Sequence, residues 1–341
     1  MNVLITGAAG FIGSHLVRMF CRAGHRVSAI VRASSSRTFL GRYDVKISEG
    51  DLRDRAFTVS AVKDFDLIVH AAAKATDWGG YSTFFEANVE AAMNLIESMN
   101  SGTRMIFLSS IAVMGEEDCP KAKDENEPYK PVCPYPFESL LPSAMNHYRL
   151  TKTLAEQMLR QKAALRGIDL TVLRPVWVFG PREFHAGPYE YCRSVQDGLP
   201  VLPGSKTNRF HVVYVEDLAR MVLRVAERQQ SGVHVYNAGP PDAPLMDEYW
   251  DLFCRAMGRR KPLTFPPALL YPLAMVLEIL WTCFGAASPP LLTRARLYMF
   301  GASNVTATRL IRETFGFDDF TPLPRAVRKT VRWWRMNGYL S

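Results

Sequence analysis

The sequence predicts an α/β protein made of one large domain or two joined ones. The first observation is size, because 341 residues that are 48% hydrophobic can bury a large core. The second is the opening stretch "NVLITGAAGFIGSHLVRMFCRAGHRVSAIV", in which an apolar run, a glycine turn, an amphipathic helix and a second apolar run follow one another. This order predicts two strands joined through a helix.

Each part of that unit has its own signal. The apolar run from Val3 to Ile5 stops at Gly7, and Gly10 and Gly13 follow at three-residue spacing. The helix after the turn directs three apolar residues inward, Leu16, Val17 and Phe20, and ends at Gly24 before a second strand from Val27 to Val31. Bare glycine amides at a helix N-terminus bind pyrophosphate, so the sequence predicts a dinucleotide site.

The glycine spacing is T-G-x-x-G-x-x-G from Thr6 to Gly13, and it resembles the extended branch of the short-chain dehydrogenase/reductase superfamily. The resemblance continues in chain order through "DLIVHAAAK", "RMIFLSSIAVMG", "NHYRLTK" and "LTVLRPVWVFGPR". It implies a Rossmann-type doubly wound parallel sheet with a smaller mixed C-terminal substrate lobe. The implied domains are residues 1–175, with the sheet completed by parts of 205–240, and residues 176–341.

The resemblance also implies which residues hold the cofactor. They lie in the glycine turn, after the second, third and fourth strands, in the serine strand, on the helix of the Tyr-Lys pair and around the Arg-Pro strand. The implied set is Gly7, Ala9, Gly10, Phe11, Ile12, Gly13, Arg32, Asp51, Leu52, Ala71, Ala72, Ala73, Ser109, Tyr148, Lys152, Pro175 and Val178.

The cofactor implied is NADP or NAD. NAD-binding proteins usually carry an acid at the end of the second strand, but that neighbourhood reads "SAIVRASSSR" and holds no carboxylate. Arg32, with further Ser and Arg residues after it, is suited to a 2′-phosphate, which favours NADP. The alternative is that Arg32 stacks on the adenine or is merely exposed.

Four residues form the implied catalytic set: Tyr148, Lys152, Ser110 and Asn88. Taken alone, Tyr and Lys four residues apart are ordinary neighbours on a helix surface. In the family order they become an acid/base pair, with Ser110, five residues before Gly115, as the hydroxyl that holds the substrate and Ser109 as the alternative. A lysine ammonium and an oxidised nicotinamide near the phenol both favour the phenolate, which can then exchange a proton with a substrate oxygen.

Two substrate classes compete. "NRFHVVYVEDLARMVLRVAE", with Arg209 and Asp217, resembles the segment of nucleotide-sugar epimerases and dehydratases in which the arginine meets a diphosphate. "KATDWGGYSTFFEANV" resembles 3β-hydroxysteroid and sterol-carboxylate dehydrogenases instead, as does the apolar C-terminal stretch. Hydride transfer at an alcohol or ketone of a hydrophobic, steroid- or polyprenoid-like small molecule is preferred. Epimerisation with retained NAD and a cofactor-sensing regulator without turnover are the alternatives.

Residues 268–287 contain one charge, Glu278, among twenty residues. Pro272 and that glutamate argue against a membrane span and leave a regular helix from Leu273 to Phe284. Basic residues precede the stretch, and Arg294 and Arg296 follow it. This pattern predicts a helix in a membrane interface, a core helix or a dimer surface, and a homodimer is expected.

The net charge is +8, and nine Arg and Lys against three Asp and Glu between residues 286 and 341 account for most of it. No nucleic-acid motif accompanies them, so no nucleic-acid partner is expected. Six scattered cysteines argue against a metal site and favour a reducing compartment. A start that is already strand-like leaves no room for a signal peptide. The expected location is cytoplasmic, with a peripheral position at the inner face of a membrane as the alternative.

The acidic, proline-rich stretch 116–147 departs from the family pattern by its length. It could cap the substrate cleft or form a surface excursion, since its prolines forbid a long regular element.

Overall fold

In the computed structural model, the described residues are 1–119, 121–184, 187–199 and 201–341. Their strands form a seven-stranded parallel sheet, in the order β10-β6-β5-β4-β1-β2-β3, and two small two-stranded sheets, β7-β9 and β8-β11. The strands are β1 (Asn2–Thr6), β2 (Arg26–Val31), β3 (Val45–Glu49), β4 (Leu67–His70), β5 (Arg104–Leu108), β6 (Leu170–Pro175), β7 (Trp177–Phe179), β8 (Val201–Pro203), β9 (Val212–Tyr214), β10 (Val233–Ala238) and β11 (Leu263–Phe265). The predicted doubly wound α/β fold is confirmed.

The helices of the described residues follow in chain order. They are α1 (Phe11–Arg22), α2 (Arg55–Ala61), α3 (Tyr81–Phe85), α4 (Ala91–Ser98), α5 (Ala144–Arg166), α6 (Pro188–Gln196), α7 (Val215–Glu227), α8 (Met246–Ala256), α9 (Pro267–Cys283), α10 (Arg294–Gly301), α11 (Arg309–Phe315) and α12 (Leu323–Met336). A π-helical turn, Glu86–Glu90, links α3 to α4, and Ile111–Met114 form a 3-10 turn after β5.

Alternation along the strands places apolar side chains on both faces of the sheet. In β1, Ile5 packs with α1 and α7 on one face, while Leu4 packs with α4 and α5 on the other. Because both faces are covered, the central strands are largely apolar, and all four residues of β4 are buried. The carboxyl ends of the strands therefore form the rim at which a ligand can bind.

A separate apolar cluster holds the smaller lobe together. Its centre is aromatic, with Phe179 of β7 against Tyr249 and Phe253 of α8, and Trp334 of α12 completely buried beside them. This lobe lies next to the carboxyl end of β6, because β7 follows β6 after a single residue.

The apolar C-terminal stretch differs from its prediction. The helix α9 begins at Pro267 and runs through Pro272, whereas the sequence predicted a regular helix only from Leu273. Pro272 is the sixth residue of the helix, so its missing N–H removes one of the first intrahelical hydrogen bonds. Among the described residues, no helix has the length and apolar character that crossing a membrane requires.

The prediction that Arg294 and Arg296 form an exposed basic flank was wrong. Both side chains are buried, at 0% and 6% exposure. Arg294 pairs with Glu278 of α9 at 2.6 Å, and Arg296 pairs with Asp77 at 2.7 Å. The two positive charges that follow α9 are therefore paired inside the protein and do not lie on its surface.

Candidate active site

The predicted glycine turn lies at the carboxyl end of β1. Gly7 has φ +66°, and a Cβ on it would lie 2.7 Å from the Ala72 amide nitrogen. A Cβ on Gly13 would lie 2.6 Å from the Gly7 carbonyl carbon. The turn is therefore closed to larger residues, and α1 begins after Gly10 without a side-chain cap. Its first amides remain available for a phosphate, so the turn fits the pyrophosphate of a dinucleotide.

A short polar contact ties this turn to β4. The Thr6 hydroxyl lies 2.7 Å from His70 Nδ1 and accepts a hydrogen bond from the Ala72 amide at 3.3 Å. His70 is buried, and burial lowers its pKa to about 3, so the imidazole is neutral. Ala71, Ala72 and Ala73 continue from β4 directly over the turn, as the cofactor prediction requires.

The other predicted cofactor residues lie along the same rim with differing contacts. Arg32 follows β2 and is exposed. Asp51 pairs with Arg53 at 2.8 Å, while its neighbour Leu52 is buried. Pro175 ends β6 and is buried, and the remaining predicted residues, Ala9, Phe11, Ile12 and Val178, pack partly buried against the two main apolar clusters.

Tyr148 and Lys152 lie near the start of α5, on the side that faces the end of β5. Burial raises the pKa of the Tyr148 phenol to about 12, and the neighbouring Ser110 side chain partly opposes this rise. Ser110 accepts a hydrogen bond from the Ala112 amide at 3.2 Å, which fixes its hydroxyl at the start of the 3-10 turn. The structure thus brings the predicted acid/base and the predicted hydroxyl together.

Lys152 is almost completely buried. Its Nζ donates to the Leu108 carbonyl at 2.6 Å and lies 4.3 Å from the centre of the Phe107 ring. Burial lowers the pKa of this lysine to about 7, and the nearby Glu156 partly opposes the change. Because this pKa lies near neutrality, a charged group placed beside Lys152 can change its protonation state.

Ser109, the alternative hydroxyl, faces away from Tyr148. It donates to Glu156 at 2.5 Å, inside a buried network in which Glu156 also accepts from Arg174 and Tyr129. Its hydroxyl is therefore engaged in holding β5 and β6 to α5.

Asn88 is placed differently from the other predicted catalytic residues. It lies in the π-helical turn, where its side chain accepts from the Lys74 amide at 2.7 Å and donates to Thr151 at 3.0 Å. These bonds join the segment after β4 to α5. Thr151 immediately precedes Lys152, so Asn88 contacts α5 next to the Tyr-Lys pair.

A small cavity of about 20 Å³ lies beside the Ser110 turn. Four apolar side chains and three polar ones line it: Ile111, Trp177, Phe210 and Met299, with Glu116, His211 and Asn304. Both His211 ring nitrogens are engaged, with the Pro240 carbonyl at 2.9 Å and the Thr306 amide at 3.2 Å. Burial lowers the pKa of His211 to about 4, so it faces the cavity as a neutral ring.

Sequence reasoning missed this lining almost completely. Trp177 follows the Arg-Pro strand and was within reach of the family pattern. Phe210, Met299 and Glu116 come from three distant segments that only the fold brings together. The predicted diphosphate residue Arg209 is exposed and donates to the Ala243 carbonyl at 2.8 Å.

The parallel sheet, the glycine turn and the Ser-Tyr-Lys group together define a dinucleotide-dependent oxidoreductase of the α/β type. The family comparison agrees. Residues 3–239 match the NAD dependent epimerase/dehydratase family, and this match covers most of the chain, which therefore belongs to that family. It is an enzyme of the extended short-chain type, and the predicted resemblance is confirmed.

Curated relatives span several activities. The chain is similar to sterol demethylase protein B of Methylococcus capsulatus, at 29% identity over 100% of both chains. It is similar to 2-alkyl-3-oxoalkanoate reductase of Stenotrophomonas maltophilia, at 25% identity over 96% of this chain and 98% of that protein. N-acetyl-alpha-D-glucosaminyl-diphospho-ditrans,octacis-undecaprenol 4-epimerase of Escherichia coli O157:H7 is 28% identical over 69% of this chain and 66% of that protein.

Among solved structures, the Bordetella bronchiseptica enzyme WbmH in complex with NAD+ has a TM-score of 0.76. The similarity covers 99% of each chain at 21% sequence identity, so it supports the fold.

Proposed function

We propose that this enzyme transfers hydride between a nicotinamide dinucleotide and an alcohol or ketone of a hydrophobic small molecule. The observation that carries the proposal is the cavity beside Ser110. Four apolar side chains line it, and its only charged lining residue among those described is a carboxylate, Glu116. Such a surface suits an apolar molecule with a neutral polar group, whereas a diphosphate requires cations.

When bound, the nicotinamide supplies the acceptor or donor of hydride. Tyr148 takes the proton from the substrate hydroxyl during oxidation and returns it during reduction. Ser110 hydrogen-bonds the substrate oxygen and, through its contact with Tyr148, sets the distance over which the proton moves. Lys152 follows Tyr148 by one helical turn on α5, and in its protonated form it would favour the phenolate and would hold the nicotinamide ribose.

Two relatives that match over nearly their full length support this proposal, because their names, a sterol demethylase protein and an oxoalkanoate reductase, refer to hydrophobic small molecules. The undecaprenol-linked 4-epimerase matches a shorter part of the chain and favours a second candidate, epimerisation with retained NAD. Tyr148 would serve that reaction too, so the two candidates differ in whether the cofactor is consumed.

The purified enzyme is expected to oxidise external NAD(P)H when given a lipophilic ketone, such as a 3-ketosteroid or a long-chain 3-oxoacid. UDP-sugars are expected to give no turnover, because the cavity lacks a cation for the diphosphate. Absorbance of the reduced cofactor measures the first reaction, and chromatography of the sugars measures the second. Interconverted UDP-sugars with retained NAD would replace this proposal with the epimerase.

The same assay tests the cofactor preference. We infer NADP, because Arg32 is exposed at the end of β2 and can reach a 2′-phosphate. The nearby Asp51 is paired with Arg53. NADPH is therefore expected to have the lower KM, and Arg32→Ala to raise the KM for NADPH while leaving that for NADH unchanged. An equal KM for both cofactors in the unaltered enzyme would contradict the inference.

We also propose that α9 lies against an anionic membrane surface. Of the large hydrophobic residues that are exposed, most belong to two neighbouring segments: Val132, Phe137 and Leu140, and Leu263, Phe265, Leu269, Leu273, Val276, Ile279, Leu280, Phe284 and Leu291. The side chain of Arg294 joins these segments, because it pairs with Glu278 of α9 and donates to the Pro136 carbonyl. Exposed Arg259 and Arg260 precede this apolar face and suit lipid phosphates.

The enzyme is expected to float with anionic lipid vesicles and much less with zwitterionic ones. Leu269→Ser with Leu273→Ser should lower the membrane partition constant by roughly thirtyfold, since the two changes together remove about 2 kcal/mol of apolar burial. Leu165→Ser is the matched control, because that side chain is 76% exposed on α5. Equal flotation of both variants would contradict membrane contact by α9. Loss of dimerisation on light scattering in the α9 variant alone would assign this face to a second copy of the chain.

A further inference from the structure

The stretch 116–147 is neither a floppy excursion nor a regular element, and its described residues are tied to the protein at several points. Lys123 is buried and donates to the Gly115 carbonyl at 2.7 Å. Its backbone bridges to Thr306. Further along, the Cys133 amide and carbonyl both bond the Asn146 side chain on α5. This anchoring fixes the position of the first residue of the stretch, Glu116.

Glu116 forms a buried ion pair with the residue that follows the candidate acid/base. Arg149 is completely buried, and its Nε donates to Glu116 at 2.9 Å while a terminal nitrogen also contacts the same carboxylate. Its other terminal nitrogen donates to the Tyr135 hydroxyl at 2.7 Å and to Asn146 at 2.8 Å. All members except Arg149 come from the 116–147 stretch, and Asn146 lies on α5.

Both charges of this pair lie close to Tyr148, because Arg149 follows it in α5 and Glu116 lines the cavity beside the Ser110 turn. Glu116 raises the pKa of the Tyr148 phenol and Arg149 lowers it, after the larger effect of burial and the hydrogen bond from Ser110. The other ionisable groups around Tyr148 have partners of their own: Lys152 donates to Leu108, Lys74 to Thr83, and His147 contacts the Gly79 carbonyl. The strand segment on the opposite side, Pro175 to Trp177, carries no charge.

We propose that the buried Glu116–Arg149 pair fixes the charge around the Tyr148 hydroxyl and so sets the pH range in which this residue exchanges its proton. Both are positioning residues, and the inference rests on the proposed acid/base role of Tyr148. A buried ion pair contributes little net stability, because desolvation offsets the attraction of the charges. At short range in a poorly solvated site, however, removal of one partner leaves the other charge acting on the phenol with little screening.

Two single substitutions test the pair because they predict opposite results. Glu116→Gln leaves Arg149 uncompensated, so the phenolate of Tyr148 should form about one pH unit lower, which is roughly tenfold more phenolate at a given pH. Arg149→Met removes the positive charge and leaves the Glu116 carboxylate without its partner, so the phenolate should form at higher pH. Glu117→Gln is the matched control, since Glu117 pairs with Lys130 and is expected to leave the titration unchanged.

The measurement is the near-ultraviolet phenolate absorbance of the enzyme bound to oxidised cofactor, with Tyr148 identified by the signal lost in Tyr148→Phe. Shifts of opposite sign support the pair, and if one variant does not fold, the direction in the other decides. An unchanged titration in a folded variant, or shifts of the same sign, would overturn the proposal. No substrate is needed, so the expected shifts without ketone turnover would reject the proposed function alone. Turnover without the shifts would reject the pair alone.

Discussion

Tyr148→Phe is expected to lower kcat by about 10² to 10⁴, while folding and cofactor binding remain as in the unaltered enzyme. The substitution removes one oxygen from a side chain whose hydroxyl meets Ser110. Phenylalanine keeps the aromatic ring but has no hydroxyl proton to exchange with the substrate oxygen. The expected loss therefore lies in the proton-transfer step and not in substrate affinity.

Steady-state kinetics with the ketone substrate, together with fluorescence titration of NADPH, separate these effects. Tyr339→Phe is the matched control, since it makes the same chemical change at a side chain that is 44% exposed on the smaller lobe. If Tyr148→Phe retains more than a tenth of the original kcat, Tyr148 is not the acid/base of the reaction.

Gly13→Ala is expected to have the largest effect on cofactor binding. The added methyl would lie 2.6 Å from the Gly7 carbonyl carbon, which is backbone and cannot rotate away. The turn must then open, at a cost of about 3 kcal/mol, and the first amides of α1 move away from the pyrophosphate. An equal loss of binding free energy lowers NADPH affinity by more than a hundredfold.

Thermal unfolding with and without NADPH measures this loss, because a bound cofactor raises Tm by mass action. Gly41→Ala is the matched control, since a Cβ at Gly41 has no atom within 4 Å and its backbone is in an ordinary conformation. An equal rise in Tm with saturating NADPH for Gly13→Ala and for the control would contradict this prediction.

Features that depend on residues close in sequence were predictable. The glycine turn occupies seven consecutive positions from Gly7 to Gly13, and Tyr148 and Lys152 are separated by one helical turn. Local backbone geometry fixes the relative positions of such groups, so their spacing in the sequence was sufficient to predict them.

Features that depend on distant pairs were not predictable. Glu116 and Arg149 are separated by a proline-rich stretch; Glu116 belongs to no motif, and Arg149 lies within the Tyr-Lys segment without being one of its defining residues. The burial of Arg294 and Arg296 depends on partners at Glu278 and Asp77, and a sequence pattern cannot distinguish a surface arginine from a buried, paired one. The residues that line the cavity were missed for the same reason, since its apolar side chains cannot be distinguished in the sequence from core residues.

The anchoring of the 116–147 stretch has a consequence for the order in which the protein folds during synthesis. Its backbone bonds to Ser303, Val305 and Ala307, nearly two hundred residues later in the chain. The glycine turn and five neighbouring strands can assemble long before those residues leave the ribosome, because their contacts are more local. The strands next to the glycine turn can therefore pair in a nascent chain before Glu116 is held beside Arg149.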